Sequence, residues 1–192
     1  DCDGYDHIGM IDASGGLLDQ DYEMFEQQTP HLLERHEFLT DSAGAGRFRG
    51  GLGVETRYRV GGEKTQLVIF GDGDVEPAFG LFGGQDATLN SIELHLPDGT
   101  VRKTASKEIV ASVPAGTGYV QRAGGGGGFG PPHERPAETV RREVADELIS
   151  VDAARSAYGV VIDPESGQVL EAETAARRAA MAADVGRRTT EN

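Results

Sequence analysis

The chain has 192 residues, 38% hydrophobic and 26% charged, and a formal net charge of −14. That balance is too apolar for a wholly disordered chain, and no run approaches the roughly 20 apolar residues that span a bilayer, so no membrane segment is expected. The acidic surplus speaks against nucleic acid as a partner, because that affinity rests on Lys and Arg neutralising phosphates.

Cysteine usage is minimal. Cys2 is alone and can form no internal disulfide. With no basic-then-apolar leader in view, this favours a reducing cytoplasm. The chain opens on Asp1 rather than Met, as expected of a piece of a longer polypeptide.

Residues 1–22 are acidic and show no clear period. From Tyr22 to Arg35 the pattern is mixed, with Tyr22, Phe25 and Leu32-Leu33 able to share one side and Pro30 ending any helix. Val54 to Val60 alternates, Val54, Tyr58 and Val60 against Glu55, Arg57 and Arg59, which predicts a half-buried strand. Gly61-Gly62 reads as a hairpin signal, with Thr65–Phe70 as the returning strand, buried on both faces near its end. Further strands are predicted at 91–96, 101–103, 107–113 and 118–121, with a turn at Pro97-Asp98-Gly99-Thr100.

The chain then turns helical. Pro136 suits a first turn, and Val140, Val144 and Leu148 recur every four residues. Ser150 reads as the N-cap of a helix from Val151 to Tyr158 that stops at Gly159, and Val160–Ile162 as a short strand. An Ala- and Arg-rich helix is expected over 171–185, ending at Gly186. Its few large apolar residues, Leu170, Met181 and Val185, suggest that it docks on a partner or lies loosely on the surface. The fold class expected is α+β: a leading remnant over 1–29, a mainly antiparallel β-rich domain over 30–133 and a helical segment over 134–192.

The 28 glycines gather in doublets and one run, Gly124 to Gly128. Gly125, Gly127 and Gly130 match G-x-G-x-x-G, but a dinucleotide site needs a helix N-terminus directly after them, and Pro131-Pro132 follows instead. The run is expected either to pack at a domain or subunit contact or to border a substrate path. The five histidines, His7, His31, His36, His95 and His133, lack ligand spacing, and Asp72 and Asp74 lack the longer oxygen ladder of a calcium loop, so no metal ligand is assigned. No Gly-x-Ser-x-Gly surrounds Ser42.

The segment Asp41 to Gly53, DSAGAGRFRGGLG, sets Arg47 and Arg49 around one aromatic among five glycines. Guanidinium forks there suit a carboxylate or phosphate, or pair with the chain's own acids, Asp41 foremost. This segment closely resembles the signature of the hydantoinase B/oxoprolinase family. The resemblance continues through Glu26 and Pro30, Phe79-Gly80-Leu81-Phe82-Gly83-Gly84, GGGGGFGPPHER (124–135), Val151 to Arg155 and Tyr158 to Val161. The chain departs from the pattern at Gly71-Asp72-Gly73-Asp74, where relatives carry an Arg after Gly-Asp.

The resemblance implies the C-terminal part of a B-type subunit in an ATP-dependent assembly. Such assemblies open cyclic amides (hydantoins, 5-oxoproline or lactams) or carboxylate ketones. It implies as partners an A-type ATP-binding subunit, an N-terminal B-type chain or domain and a small-molecule substrate. ATP and a divalent metal are expected on those partners or on the absent N-terminal part. Asp41, Ser42, Arg47 and Arg49 are the residues of this chain expected to contribute to the site, with Arg47 and Arg49 stabilising an anion or a subunit contact. A non-catalytic scaffold is the competing expectation.

Overall fold

A computed structural model describes residues 2–6 and 21–190, with side chains up to residue 183. His7, the Gly15-Gly16 doublet and most of the acidic opening segment lie outside the described residues, as does the Val185 side chain.

Helix α1, Tyr22–Gln28, is capped by Asp21, whose carboxylate accepts the Met24 N–H at 3.0 Å, and it ends at Thr29, before Pro30. Strand β1, Leu32–Phe38, follows where the sequence pattern was mixed. Its charged residues Glu34, Arg35 and Glu37 obscure the period of two, which an edge strand can tolerate because one side of its backbone stays unpaired. Strands β2 (Val54–Arg59), β3 (Thr65–Phe70), β4 (Ser91–His95), β5 (Val101–Lys103), β6 (Lys107–Val113) and β7 (Gly118–Arg122) complete the β structure. A five-stranded sheet runs β1-β2-β7-β4-β5, antiparallel throughout, and a two-stranded ribbon pairs β3 with β6.

The Gly61-Gly62 hairpin is not formed. β2 pairs with β1 and β7, and β3 crosses to β6. Gly61 instead serves a close approach: a Cβ there would stand 1.7 Å from the Pro30 carbonyl oxygen. Nor is the end of β3 buried on both faces, since Phe70 is open to solvent. The Pro97–Thr100 turn does form, with Gly99 at φ +86° and the Leu96 N–H donating to Thr100 O at 2.8 Å.

Two small cores result. Val60, Leu94, Val110 and Val113 pack with Leu67 and Tyr119 between sheet and ribbon. Ala45, Val140, Ile149, Ala154, Tyr158, Val160 and Ile162 form the second, beneath the helices α2 (Ala137–Ala145) and α3 (Val151–Ser156). Ser150 caps α3 through its hydroxyl, which accepts the Ala153 N–H at 3.0 Å. Val160–Ile162 contributes only a single pairing, Ile162 with Val169, rather than a strand.

Helix α4, Glu171–Thr190, continues past Gly186 and docks on its own chain. Polar groups hold it where apolar ones are scarce. Thr174 Oγ1 accepts the Val161 N–H at 3.0 Å, and Arg178 donates to the carbonyls of Tyr158 (3.1 Å) and Arg135 (2.6 Å). Antiparallel sheets followed by helices make the fold α+β.

Candidate functional site

The glycine run packs inside the domain, against its own chain. Gly124–Gly128 threads between residues 42–53 and 79–88. Gly44 N–H donates to Gly126 O and Gly126 N–H to Gly51 O, both at 2.8 Å; Gly128 N–H donates to Gln85 O at 2.9 Å. These backbones lie so close that side chains have no room. A Cβ on Gly50 would stand 1.8 Å from Gly126 O, and one on Gly127 2.0 Å from Phe79 O. On its outer side the run borders an open cleft of about 560 Å³, lined by Cys2, Gly4, Tyr5, Phe48, Phe129 and glycine backbone.

Two buried arginines clamp this core. Arg135, 2% exposed, donates Nε and Nη2 to Glu143 (3.0 and 2.7 Å) and Nη1 and Nη2 to Asp3 (2.7 and 2.8 Å), a bidentate grip on each carboxylate. Its Nη1 also donates to Arg47 O at 3.1 Å. Arg49, 7% exposed, donates Nε to the same Glu143 at 2.8 Å and Nη1 to Asp6 at 2.7 Å. Glu143, on α2, is therefore shared by both guanidiniums, and Asp3 and Asp6 close the network from the start of the chain.

The electrostatics follow. Burial opposes the charge on Arg135 and on Arg49, but hydrogen bonds and attraction from Asp3, Asp6 and Glu143 outweigh it and raise both above the ordinary arginine value. Burial likewise works against the charged carboxylates of Asp3 and Asp6, yet their arginine partners and the backbone N–H groups of Arg49 and Leu52 hold both below the usual range. All four stay ionised at neutral pH.

The four motif residues fare differently. Asp41, at φ +60°, pairs with neither arginine; its carboxylate accepts the Ser150 N–H at 2.8 Å and its N–H donates to Leu148 O at 3.1 Å, joining the motif to the start of α3. Ser42 is fully buried; its hydroxyl donates to Leu39 O at 2.6 Å and accepts the Gly53 N–H at 2.8 Å. Arg47 is exposed, 5.5 Å over the Phe48 ring, with Glu134 3.8 Å away. Only Arg49 joins the buried network. A smaller cavity of about 130 Å³ brings Asp41 and Arg49 together with Gln85, Asp86 and Tyr158. Burial pushes the Tyr158 phenol upward, against the pull of Arg135.

Sequence reasoning did not single out Arg135, Glu143, Asp3 or Asp6. The available signal was the Glu134-Arg135 pair closing the glycine run, but its acidic partners lie 8 and 132 positions away. Among the described residues no three His, Cys, Asp or Glu side chains converge to hold a metal ion. The described part of the chain therefore does not fit a metal centre, and Asp72 points instead to Lys107, 3.4 Å away. No helix among the described residues is long and apolar enough to cross a membrane.

Fold and site together define the class: an α+β chain built on antiparallel sheets, with a side-chain-free glycine core clamped by arginines. Residues 1–132 match the hydantoinase B/oxoprolinase family, and the chain belongs to that family. It is 37% identical over 183 residues to the caprolactamase subunit beta of Pseudomonas jessenii, an alignment covering 93% of this chain and 31% of that protein. It is 27% identical to the acetone carboxylase alpha subunit of Xanthobacter autotrophicus, covering 95% of this chain and 28% of that one.

Solved structures agree. The ATP-dependent caprolactamase from Pseudomonas jessenii superposes with a TM-score of 0.64 at 33% identity, over 85% of this chain and 28% of the other. Nucleotide-free acetone carboxylase gives a TM-score of 0.81 at 24% identity, over 95% of this chain and 29% of the other, a likeness of fold. The chain spans less than a third of the length of these relatives.

Proposed function

We propose that the chain is the C-terminal part of a B-type subunit in an ATP-dependent assembly that hydrolyses a cyclic amide: a lactam, a hydantoin or 5-oxoproline. The observation that carries this reading is the 37% identity, across 93% of the chain, to a caprolactamase subunit beta. In the proposed reaction the γ-phosphoryl group of ATP passes to the ring carbonyl oxygen and ADP leaves; water adds to that carbon, the C–N bond breaks to free the amine and leave an acyl phosphate, and a second water releases the carboxylate and inorganic phosphate. The A-type subunit binds ATP, and any divalent metal belongs to polypeptide outside this chain.

Within this scheme the chain divides into a leading remnant (1–29), a β-rich domain (30–133) and a helical segment (134–192), with the arginine clamp joining all three through Asp3 and Asp6, Arg49, and Arg135 with Glu143. Asp41, Ser42 and Arg49 brace the motif, and Arg47 is the residue of the four free enough in space to meet an anionic group. A second reading, ATP-dependent carboxylation of a ketone, draws on the acetone carboxylase relative at 27% identity.

Native mass spectrometry of the protein purified from its source tests the assignment. An assembly containing further B-type polypeptide and an A-type subunit is expected. ATP turnover by that assembly should respond to caprolactam, hydantoin or 5-oxoproline, whereas a response to acetone with bicarbonate selects the carboxylase reading. A lone 20.3 kDa chain would sink both. In the intact assembly, Arg47→Ala separates chemistry from scaffold: turnover collapses while the complex persists if Arg47 meets substrate, and the complex falls apart if it serves assembly.

A further inference from the structure

The cavity of about 130 Å³ behind the motif contains a hydrogen-bond donor with nothing to bond. Tyr158 lines it and is 3% exposed, yet no group among the described residues accepts its phenol O–H. Burial pushes the phenol upward, so at neutral pH it keeps its proton and can donate. The charges that act on it are those of Arg135, Glu143, Arg49 and Asp3, which places the hydroxyl toward the clamp, where Arg49 also lines the cavity. A buried hydroxyl without a partner has given up its hydration for no return, and a native structure that keeps one keeps it for water or for a ligand.

The walls decide between the two. Ala43, Ala45, Leu52, Ile149, Ala153 and Ala157 line them with hydrocarbon. At about 30 Å³ each, roughly four waters would fill this volume, and each needs about two to four polar partners that such walls do not offer. An apolar cavity of about 150 Å³ takes one benzene ring, so the size suits a single small ring and excludes a nucleotide. The remaining polar groups stand at the exposed mouth. Asp41 and Asp86 each give one carboxylate oxygen to a backbone N–H, of Ser150 and of Gly80, both at 2.8 Å, and each keeps the other. None of residues 2–6 lines the cavity.

We infer that this cavity binds a small cyclic amide, an inference that rests on the function proposed above for its choice of ring. The carbonyl oxygen accepts the Tyr158 O–H, the amide N–H donates to Asp41 or Asp86 at the mouth, and the ring methylenes lie against the hydrocarbon walls. Other small molecules fit less well. An anion meets two carboxylates at the mouth, and the Arg49 guanidinium inside is already taken by Asp6 at 2.7 Å and Glu143 at 2.8 Å. A ketone satisfies Tyr158 but brings no donor for the carboxylates. The signature segment and α3 would thus hold the amide between them, with the clamp fixing the inner end.

The test is equilibrium dialysis of labelled caprolactam and hydantoin against the complete assembly with ATP absent. Tyr158→Phe keeps the ring and deletes the donor, and at least one of the two amides should bind at least threefold more weakly. Ala153→Leu fills the cavity from α3 and should abolish that binding. Affinities unchanged by both variants overturn the assignment, as does equal affinity for cycloheptanone, which has the ring and the carbonyl but no N–H. Melting without ligand gives a second readout: Tyr158→Phe should hold or raise Tm, because the deleted hydroxyl has no partner, and a fall of several degrees overturns the premise. Amide-dependent ATP turnover by the same assembly reports on the parent reading separately. Binding that the variants weaken, without such turnover, sinks that reading and keeps the site, whereas turnover with unaltered binding sinks only the site.

Discussion

Replacing Glu143 by Gln strikes the one side chain that both buried guanidiniums share. Glu143 accepts three N–H bonds, from Arg49 Nε at 2.8 Å, Arg135 Nε at 3.0 Å and Arg135 Nη2 at 2.7 Å. The amide keeps the shape but loses the charge and turns an NH2 toward a guanidinium. Removing one partner of a buried pair leaves the other desolvated and uncompensated, a loss of about 3–5 kcal/mol even where the pair's net worth is small. For a domain of this size that lowers Tm by roughly 6–20 °C. Asp3 is the internal comparison: it grips the same Arg135 but its side chain is 35% exposed, so solvent screens it and Asp3→Asn should cost about 1 kcal/mol. Urea unfolding of both variants, at low and high salt, reads the difference. Equal losses for the two, or a Glu143→Gln loss under about 1 kcal/mol that vanishes in salt, would refute the claim that the clamp is shielded from water.

Three further outcomes are expected. Gly50→Ala should abolish soluble protein, because the new methyl meets a carbonyl oxygen at 1.8 Å, whereas Gly118→Ala, with its nearest neighbour at 3.5 Å, should stay within about 1 kcal/mol of the parent by thermal melting. Asp41→Ala should cost more than Asp41→Asn, by about 1 kcal/mol in urea midpoints, since Asn keeps both an acceptor for the Ser150 N–H and tolerance of φ +60°. The carboxyls of Asp3 and Asp6 are lowered from the ordinary value of 3.8 on folding, so the stability they add is fully present above that value and is lost as pH falls through their lower folded values. An acid titration followed by circular dichroism should lose part of its low-pH slope in the Asp3→Asn, Asp6→Asn double variant.

Much of the architecture was legible where periodicity is local. β2 to β7 announced themselves by alternation or turn residues, and Pro136 and Ser150 marked the starts of their helices, whereas α3 ends at Ser156, two residues short of the stop that Gly159 suggested. The missed elements were set by distant partners. β1 carries charges because it is an edge, and Gly61-Gly62 looked like a hairpin because glycine signals close approach as readily as reversal. Glu55 was placed on the exposed parity of β2, yet it is buried because Arg122 donates to it at 2.7 Å and Arg35 at 3.3 Å. The motif at 41–53 was found as a unit, but its division of labour was not, because Arg49 takes its acids from residues 43 and 94 positions away.

The glycine core has a thermodynamic consequence. It buries amides rather than hydrocarbon, and exposing polar surface lowers the heat capacity of unfolding where apolar surface raises it. Its share of the stability curve should therefore be flatter with temperature than that of the two aliphatic cores. Its entropy runs the other way, since glycine gains more freedom on unfolding than any other residue. Stretches far apart in the chain must also be brought together, two for the Gly44–Gly126 bond and a third for the Gly128–Gln85 bond. On that entropy cost the core is expected to consolidate late, once sheet and helices hold its three segments near one another. The segment that composition alone would mark as the loosest in the molecule is, once folded, the one with the least room to move.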